Sequence, residues 1–399
     1  MIRVLTFSTL YPNGASPNHG IFVETRLRQL LASGEIESRV IAPVPWFPSR
    51  HRMFGRYATY AGVPAREARH GIDVAHPRFL QIPKLGMTVA PSMLALTAIQ
   101  AARQIRAEGF DFDLIDAHYF YPDGVAATWL GRALGRPVVI TGRGTDINLL
   151  PRYRSPRRMI LSASNRCAAI VTVSSALKDE LVALGVDSGK ITVLRNGVDL
   201  ALFRPQERER ARTECGMSRF TLLSVGNLVP LKGHDLVISA LPALSDVDLI
   251  IAGAGPEESG LRSLAKSLGV ADRVRLVGLL PQERLRTLYS GADALVLASS
   301  REGWANVLLE AMACGTPVVT SNVCGNPEVV AAPEAGVLME LRSASGVAAA
   351  VRQLQARPVD RAATRRYAER FSWDATTRGQ LELFTRVLAT SKSQVLQHA

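Results

Sequence analysis

Two carboxylates, Glu302 and Glu310, stand eight positions apart in the stretch REGWANVLLEAMACGTP, residues 301–317. Paired acids invite a glycosidase-like reading. One lies in a loop, however, and the other about a turn inside the helix that follows, a placement suited to binding rather than proton transfer. The elements around them are plain. ALVLA, 294–298, reads as a buried strand, and Gly303 lies in a polar loop. Residues 305–313 read as a helix, with Val307, Leu308, Leu309, Ala311 and Met312 near a helical period and Gly315 and Pro317 at its end. VVT, 318–320, supplies the next strand. A strand, a glycine-bearing loop and a helix N-terminus can hold a phosphate, because free amides and the positive end of the dipole point outward there. The same two acids also fit a plainer description, as ordinary carboxylates favoured by a helix dipole.

The form recurs along the chain. RVLTFS (3–8) is a strand, TLYPNGASPNHG (9–20) a loop and 21–31 a helix; the loop is phosphate-competent but is not G-x-G-x-x-G. FDLID (112–116) is a strand running into Ala117 and His118, and GRGTDIN (142–148), with Asp146, is a turn after the strand 138–141. GNLVPLKG (226–233) follows the strand 220–225 and carries Lys232. Gly253 and Gly255 follow the strand 247–252. Strands at 39–42, 169–173, 191–194 and 274–277 alternate with helical stretches. This pattern predicts βαβ units and mostly parallel sheets, in two α/β domains with ligand loops at strand C-termini and a cleft between them. The polar segment 203–219 reads as the connector. The expected domains are 1–203, 204–363 and a last amphipathic helical stretch beginning at 364. Residues 43–83, with Trp46, Phe47, Phe54, Tyr57 and Tyr60 among arginines, read as an irregular insertion that either packs its aromatics on its own domain or meets a membrane interface or sugar chain.

At 399 residues the chain has room for two domains, and 47% apolar residues suffice for globular packing. The net charge of +12 is uneven: the first 200 residues hold 24 Lys/Arg against 15 Asp/Glu, the rest 23 against 20. A basic first half can attract an anionic lipid surface or an acidic substrate. It contains no Lys/Arg run of nucleic-acid type, and no nucleic acid is expected. Cys167, Cys215, Cys314 and Cys324 form no C-x-x-C, which fits a reducing compartment without zinc. MIRVLTFSTLYP looks like a first strand rather than a signal peptide. The mostly apolar stretch 87–102 is too short and too polar to span a bilayer. The expectation is a cytoplasmic protein, or one peripheral at the inner face of the cell membrane.

Taken together, VGNLVPLKG (225–233), IAGAGPE (251–257), LVGLLP (276–281), LASSREGWANVLLEAMACGTPVV (297–319) and FSW (371–373) resemble a retaining glycosyltransferase of family 4. YPNGASPNHGIFV (11–23), DLIDAHYFYPDG (113–124), TGRGTDI (141–147) and VLRNGVD (193–199) match more loosely. The resemblance spans nearly the whole chain and is similar in flavour to bacterial exopolysaccharide or teichuronic-type enzymes. It implies the GT-B fold: two Rossmann-like parallel-sheet domains facing a central cleft, acceptor in the first, nucleotide-sugar in the second, and a C-terminal helix (364–399) crossing back. By resemblance, Lys232 contacts the donor diphosphate, a role that suits a point charge beside a tight turn. Glu310 holds the ribose hydroxyls, as an ionised carboxylate can, and Glu302 faces the donor sugar. Gly303, Ala305, Asn306 and Val307 offer backbone contacts to the donor. Gly253 and Gly255 admit the nucleotide closely, and Gly20 nears the diphosphate. His118 contacts the donor sugar or β-phosphate and stabilises developing charge. Asp146 contacts acceptor or sugar, or else caps its own turn. Asn227 stands where the family often has Arg, which removes a cation from the donor loop.

The resemblance implies hexosyl transfer from a UDP- or GDP-sugar to a hydroxyl of a lipid-linked or oligosaccharide acceptor, with retention. The leaving diphosphate takes the acceptor proton on the same face, stabilised by Lys232 and helix amides. Neither Asp111-Phe112-Asp113 nor Asp246-Val247-Asp248 falls at a plausible site, so no metal and no cofactor are expected. Domain closure is expected with donor binding. Two other classes share the frame: a nucleotide-sugar epimerase, which needs no acceptor, and a non-catalytic membrane-associated subunit, which the Asn227 departure would favour.

Overall fold

Alternating strands and helices build two separate, mainly parallel sheets in the computed structural model of the chain, which describes residues 1–81 and 86–398. Met1–Leu194 with Ala375–Ala399 form one compact unit and Arg195–Asp374 the other.

The strands of the first unit are β1 (Ile2–Phe7), β2 (Ile36–Ile41), β3 (Val44–Pro45), β4 (Arg66–Arg69), β5 (Ile72–Ala75), β6 (Arg78–Phe79), β7 (Leu114–His118), β8 (Val138–Gly142), β9 (Ala169–Thr172) and β10 (Ile191–Val193). Their main sheet runs β10-β9-β8-β7-β1-β2-β5-β4, parallel throughout except the β4–β5 pair; β3 and β6 pair apart. β7, β8 and β9 are buried along their whole length, as strands covered on both faces must be; β8 and β9 are accordingly almost wholly apolar, whereas β7 carries buried Asp116 and His118. The order reverses between β1 and β7. In open α/β sheets ligands gather at such a switch, beyond the strand C-termini. It brings the loop after β1 beside the end of β7, where Ser8 donates its hydroxyl to the His118 carbonyl at 3.1 Å.

The second unit holds β11 (Phe220–Val225), β12 (Val247–Ala252), β13 (Val274–Gly278), β14 (Ala294–Leu297), β15 (Val318–Ser321) and β16 (Gly336–Met339), ordered β13-β12-β11-β14-β15-β16. Its switch lies between β11 and β14, so the loops bearing Lys232 and Glu302 leave adjacent strands at the same end. Leu222, Leu249, Ile251, Val296 and Val319 from the sheet pack with Val237, Ile238, Val347 and Val351 from helices in one buried cluster.

Three segments depart from the sequence expectation. Residues 43–83 are not wholly irregular: β4 and β5 form a hairpin that extends the main sheet, and positions 82–83 lie outside the described residues. REAR alternates charge rather than apolarity, because β4 is an edge strand whose Arg66 pairs with Asp73 and Glu108. Within the insertion Phe47 packs on Phe54 and Tyr57, each at 5.2 Å between ring centres, while Trp46, Met53 and Leu80 stay exposed. The segment 203–219 contains the helix Arg208–Cys215, capped by Glu207, with Arg212 tied to Asp293 at 2.9 Å. The stretch from 364 is two helices, Arg361–Glu369 and Trp373–His398. They part at Phe371, whose carbonyl accepts Val198 N–H at 2.9 Å. Beside it Gly197 lies so close that a Cβ would fall 2.6 Å from Trp373 N. Residues 195–203 belong to the second unit, which begins nine positions ahead of the expected domain start at 204. From Ala375 onward the last helix belongs to the first unit, with Leu383, Phe384 and Val387 buried against Val4, Leu114 and Val139.

Candidate functional site

In the second unit two glycine loops are laced together at the sheet's C-terminal end. Gly226 N–H donates to Ala252 O at 3.0 Å, Leu228 N–H to Ala254 O at 3.0 Å, and Glu257 N–H back to Leu228 O at 3.1 Å. This packing leaves no room for side chains. A Cβ on Gly253, where φ is +154°, would lie 1.8 Å from Gly226 O, and one on Gly255 would lie 2.4 Å from Leu228 O. The loop after β14 joins them: Ser300 N–H donates to Leu231 O at 2.9 Å, and a Cβ on Gly233 would lie 2.1 Å from Ala298 O.

That stitching brings Lys232 and Glu302 together. Lys232 Nζ lies 2.6 Å from Glu302 Oε1, with both side chains partly exposed. The aliphatic stem of Lys232 runs over Gly226. Behind the loop, buried His234 meets Ser224 Oγ through Nδ1 at 2.9 Å; burial, together with nearby Lys232, keeps its imidazole more neutral than usual. Asn227 is exposed at the loop's tip.

Glu302 leads through buried Gly303 and Trp304 to the helix Asn306–Ala313. Its N-cap is Ala305, whose methyl side chain offers the first-turn amides no acceptor. Val307 is half-buried on that turn. Asn306 Oδ1 accepts from Asn196 Nδ2 at 3.2 Å, and Trp304 Nε1 donates to Asn196 O at 3.1 Å. Trp304 also carries Arg195 over its ring at 5.9 Å and packs on Phe371 at 6.0 Å. Glu310 sits a turn inside the helix, where it accepts from Tyr289 Oη at 2.9 Å. Burial pushes its carboxyl up to about 7, and the Tyr289 hydrogen bond opposes that rise. Trp304, Tyr289 and His234 are site residues that spacing did not single out. Tyr289 lies 21 positions from its partner and had no local signal; Trp304 sits within the REGWANVLLE motif itself.

In the first unit His118 is fully enclosed at the end of β7. Its Nδ1 lies 2.7 Å from Arg143 Nη2 and its Nε2 lies 3.3 Å from Asp116 Oδ2. A guanidinium can only donate, so Nδ1 is the acceptor and Nε2 carries the proton. Burial lowers the His118 pKa, Arg143 adds to the fall and Asp116 opposes it, so the ring is neutral. Burial alone would raise Asp116, but His118, Arg26 and Arg143 outweigh it and hold the carboxyl below its usual range. The next residue, Tyr119, has φ +82°, a conformation that non-glycine residues hold only under constraint.

Asp146 does not face outward. Its oxygens accept from the backbone amides of Phe120 at 2.6 Å, Gly144 at 2.7 Å and Arg143 at 3.1 Å. It caps its own turn and fixes the segments that carry His118 and Arg143. Gly20, φ +66°, packs so closely on Leu10 that a Cβ would fall 2.3 Å from its carbonyl, and His19 Nε2 meets Thr9 O at 3.0 Å. The loop is closed at its root by buried Asp123, which accepts from Thr9 N and Oγ at 3.2 and 2.9 Å.

Residues 205–371 match the family model for glycosyl transferases group 1, and residues 26–202 that for Glycosyltransferase Family 4. The chain is 31% identical over 364 residues to a D-inositol 3-phosphate glycosyltransferase of Rhodococcus opacus, covering 83% of this chain and 80% of the relative. It is 29% identical over 332 residues to the putative teichuronic acid biosynthesis glycosyltransferase TuaC of Bacillus subtilis, covering 81% and 82%. In fold it is similar to a sucrose-phosphate synthase of Thermosynechococcus elongatus (TM-score 0.79, 19% identity, covering 98% of this chain and 100% of that one). It is also similar to HepE of Anabaena in complex with UDP-glucose (TM-score 0.74, 20% identity, covering 97% and 100%).

Proposed function

Because the chain belongs to glycosyltransferase family 4 and has the GT-B fold, we propose that it moves a hexosyl group from a UDP- or GDP-sugar to a hydroxyl acceptor, retaining the anomeric configuration. The observation that carries this reading is the Lys232–Glu302 pair, set where two glycine loops and an uncapped helix start converge. Lys232 neutralises the donor diphosphate, and the amides around Asn306 and Val307 share that task. Gly253 and Gly255 admit the nucleotide at the switch point, Glu310 takes the ribose hydroxyls, and Glu302 turns to the sugar. Gly303 and Ala305 give the loop its approach to the donor. Charge builds on the leaving diphosphate as the glycosidic bond breaks. The same diphosphate then accepts the proton of the attacking hydroxyl, so Lys232 stabilises the step most where charge is greatest. No metal ion or cofactor enters this scheme. In the first unit His118, held neutral, is to meet the sugar with its Nε2–H, which must then leave Asp116 Oδ2 while Nδ1 stays on Arg143.

The names of the two relatives point to an inositol phosphate or a polymer-linked sugar as the kind of acceptor, and so to cell-surface glycolipid or polysaccharide synthesis. The basic first half and exposed Trp46, Met53 and Leu80 support peripheral attachment at the anionic inner face of the cell membrane. Among the described residues no helix is long and apolar enough to cross a membrane. The test is a panel of UDP-, GDP- and ADP-sugars screened by thermal shift, followed by NMR of the product. Stabilisation by one donor, a retained anomeric configuration and turnover undiminished by EDTA are expected. An inverted product, loss of turnover in EDTA, or sugar isomerisation without acceptor would overturn the reading.

A further inference from the structure

The last helix places one buried amide between two charges of the first unit. Gln380 Oε1 accepts from Arg26 Nε at 2.7 Å, and Gln380 Nε2 donates to Asp116 Oδ2 at 2.8 Å. Asp116 Oδ2 is the same atom that faces His118 Nε2. A continuous polar chain thus runs from Arg26 through Gln380, Asp116 and His118 to Arg143. Each member is buried and each lies in the first unit, although Gln380 and Asp116 are 264 positions apart.

The local sequence is built for this contact. Gly379 precedes Gln380, and a Cβ there would fall 2.6 Å from Leu194 Cδ2, so the helix lies on the end of the sheet more closely than a larger residue allows. An amide also suits the position chemically, because it accepts from a cation and donates to a carboxylate at once. Without it Arg26 and Asp116 would be opposite buried charges with nothing between them, and each has an atom to spare. Among the described residues Arg26 Nη2 and Asp116 Oδ1 are buried without a hydrogen-bond partner. Direct pairing would draw the carboxylate off the imidazole.

The geometry points to Gln380 as a positioning residue for His118: it keeps Asp116 on the ring and so holds the imidazole as the neutral Nε2–H tautomer, with Nδ1 turned to Arg143. This rests on the proposed part of His118 in transfer. The charged groups that face His118 are Asp116 of β7 itself, Arg143 from the turn after β8 and Arg26 from the helix Ile21–Leu31; the last helix contributes neutral Gln380.

The test uses the full chain with ¹⁵N-labelled histidine and two variants. In Gln380→Leu, Asp116 moves toward Arg26. The His118 resonances should then lose the single-tautomer pattern and protonation should move to lower pH. In Gln380→Glu, which is nearly isosteric, a further carboxylate enters the chain and protonation should move to higher pH. The two shifts have opposite sign, which a loss of packing alone would not produce. Turnover in the Leu variant should fall about tenfold or more while donor KM stays within about twofold. Unchanged His118 signals and titration in both variants overturn the inference, and if the Leu variant does not fold the Glu variant carries the test alone. Wild-type turnover in a variant whose signals have moved also overturns it, given an inactive His118→Ala control. If His118→Ala itself keeps full turnover, the functional reading of His118 is at fault and the NMR result alone decides the positioning role.

Discussion

The hydroxyl of Tyr289 donates to Glu310 Oε2 across 2.9 Å, in a pocket that pushes the Glu310 carboxyl up to about 7. Ribose hydroxyls need an ionised acceptor, so a protonated Glu310 must lose its proton when the donor binds. Donor affinity should rise with pH up to about 7 and level off above it. Between pH 6 and pH 8 the dissociation constant of the nucleotide-sugar should fall about tenfold. Calorimetry across that range checks this, with Glu310→Gln expected to bind weakly and without the pH dependence. A wild-type affinity flat from pH 6 to 8 would remove Glu310 from the ribose.

Lys232→Ala takes away the cation and leaves half-buried Glu302 without its 2.6 Å partner. Donor binding should weaken by about 1.5–3 kcal/mol, the range of a hydrogen bond to a charged group. The melting temperature should change little, because both side chains reach solvent. Titration with UDP- and GDP-sugars gives the first quantity and a thermal melt the second. Unaltered donor affinity would support a non-catalytic subunit instead.

Two glycine substitutions separate crowding from backbone strain. Gly269, φ +69°, has open space where a Cβ would go, so Gly269→Ala should cost about 1 kcal/mol. Gly253→Ala would place a Cβ 1.8 Å from Gly226 O and should force the two glycine loops apart. Urea unfolding should show a loss of several times the Gly269 value, and donor binding should vanish only in the Gly253 variant.

Trp304→Phe keeps a ring for Arg195 and Phe371 but deletes the indole N–H that Asn196 O accepts at 3.1 Å. Losing that hydrogen bond should cost about 0.5–1.5 kcal/mol of stability. The loop between Glu302 and Asn306 loses its anchor, so kcat/KM should fall further than stability alone explains. Steady-state kinetics measured well below the melting point separate the two effects.

Asp123 gives a test by pH. Burial pushes its carboxyl up to about 8 from the 3.8 of an ordinary aspartate, while the bonds from Thr9 pull the other way. A raised folded-state value means that the protonated acid favours folding. That contribution is complete below about pH 4 and is lost as the pH climbs towards 8. Asp123→Asn stays neutral throughout, so its melting temperature should gain on the wild type between pH 5 and pH 8.5. A constant or shrinking gap would show that the acid is ionised when folded.

Much of this architecture was legible in the chain because strand, glycine loop and helix each leave a local mark. The helix read at 305–313 is Asn306–Ala313, and that at 21–31 is Ile21–Leu31. What stayed hidden has no local mark. Arg66–Arg69 is an edge strand stabilised by ion pairs, so it shows no apolar alternation. The helix Arg208–Cys215 buries only Ala211, which makes it look like a polar linker. Lys232 and Glu302 were legible as two separate loops, but their pairing depends on β11 lying beside β14. Tyr289 with Glu310, and Gln380 with Asp116, are long-range contacts that only the folded chain reveals. Asp146 left two options open, and in the fold its carboxylate accepts from three backbone amides of its own turn and of Phe120.

The first unit is completed by residues made after the whole of the second, since the helix from Ala375 onward closes a core begun by Val4. On the ribosome its sheet therefore emerges with Arg26 and Asp116 still lacking the amide that will sit between them. The second unit can fold as soon as it has emerged, but the first must wait until the chain beyond the second has been made. A stop codon ahead of Gln380 would thus spare the second unit and ruin the one encoded first.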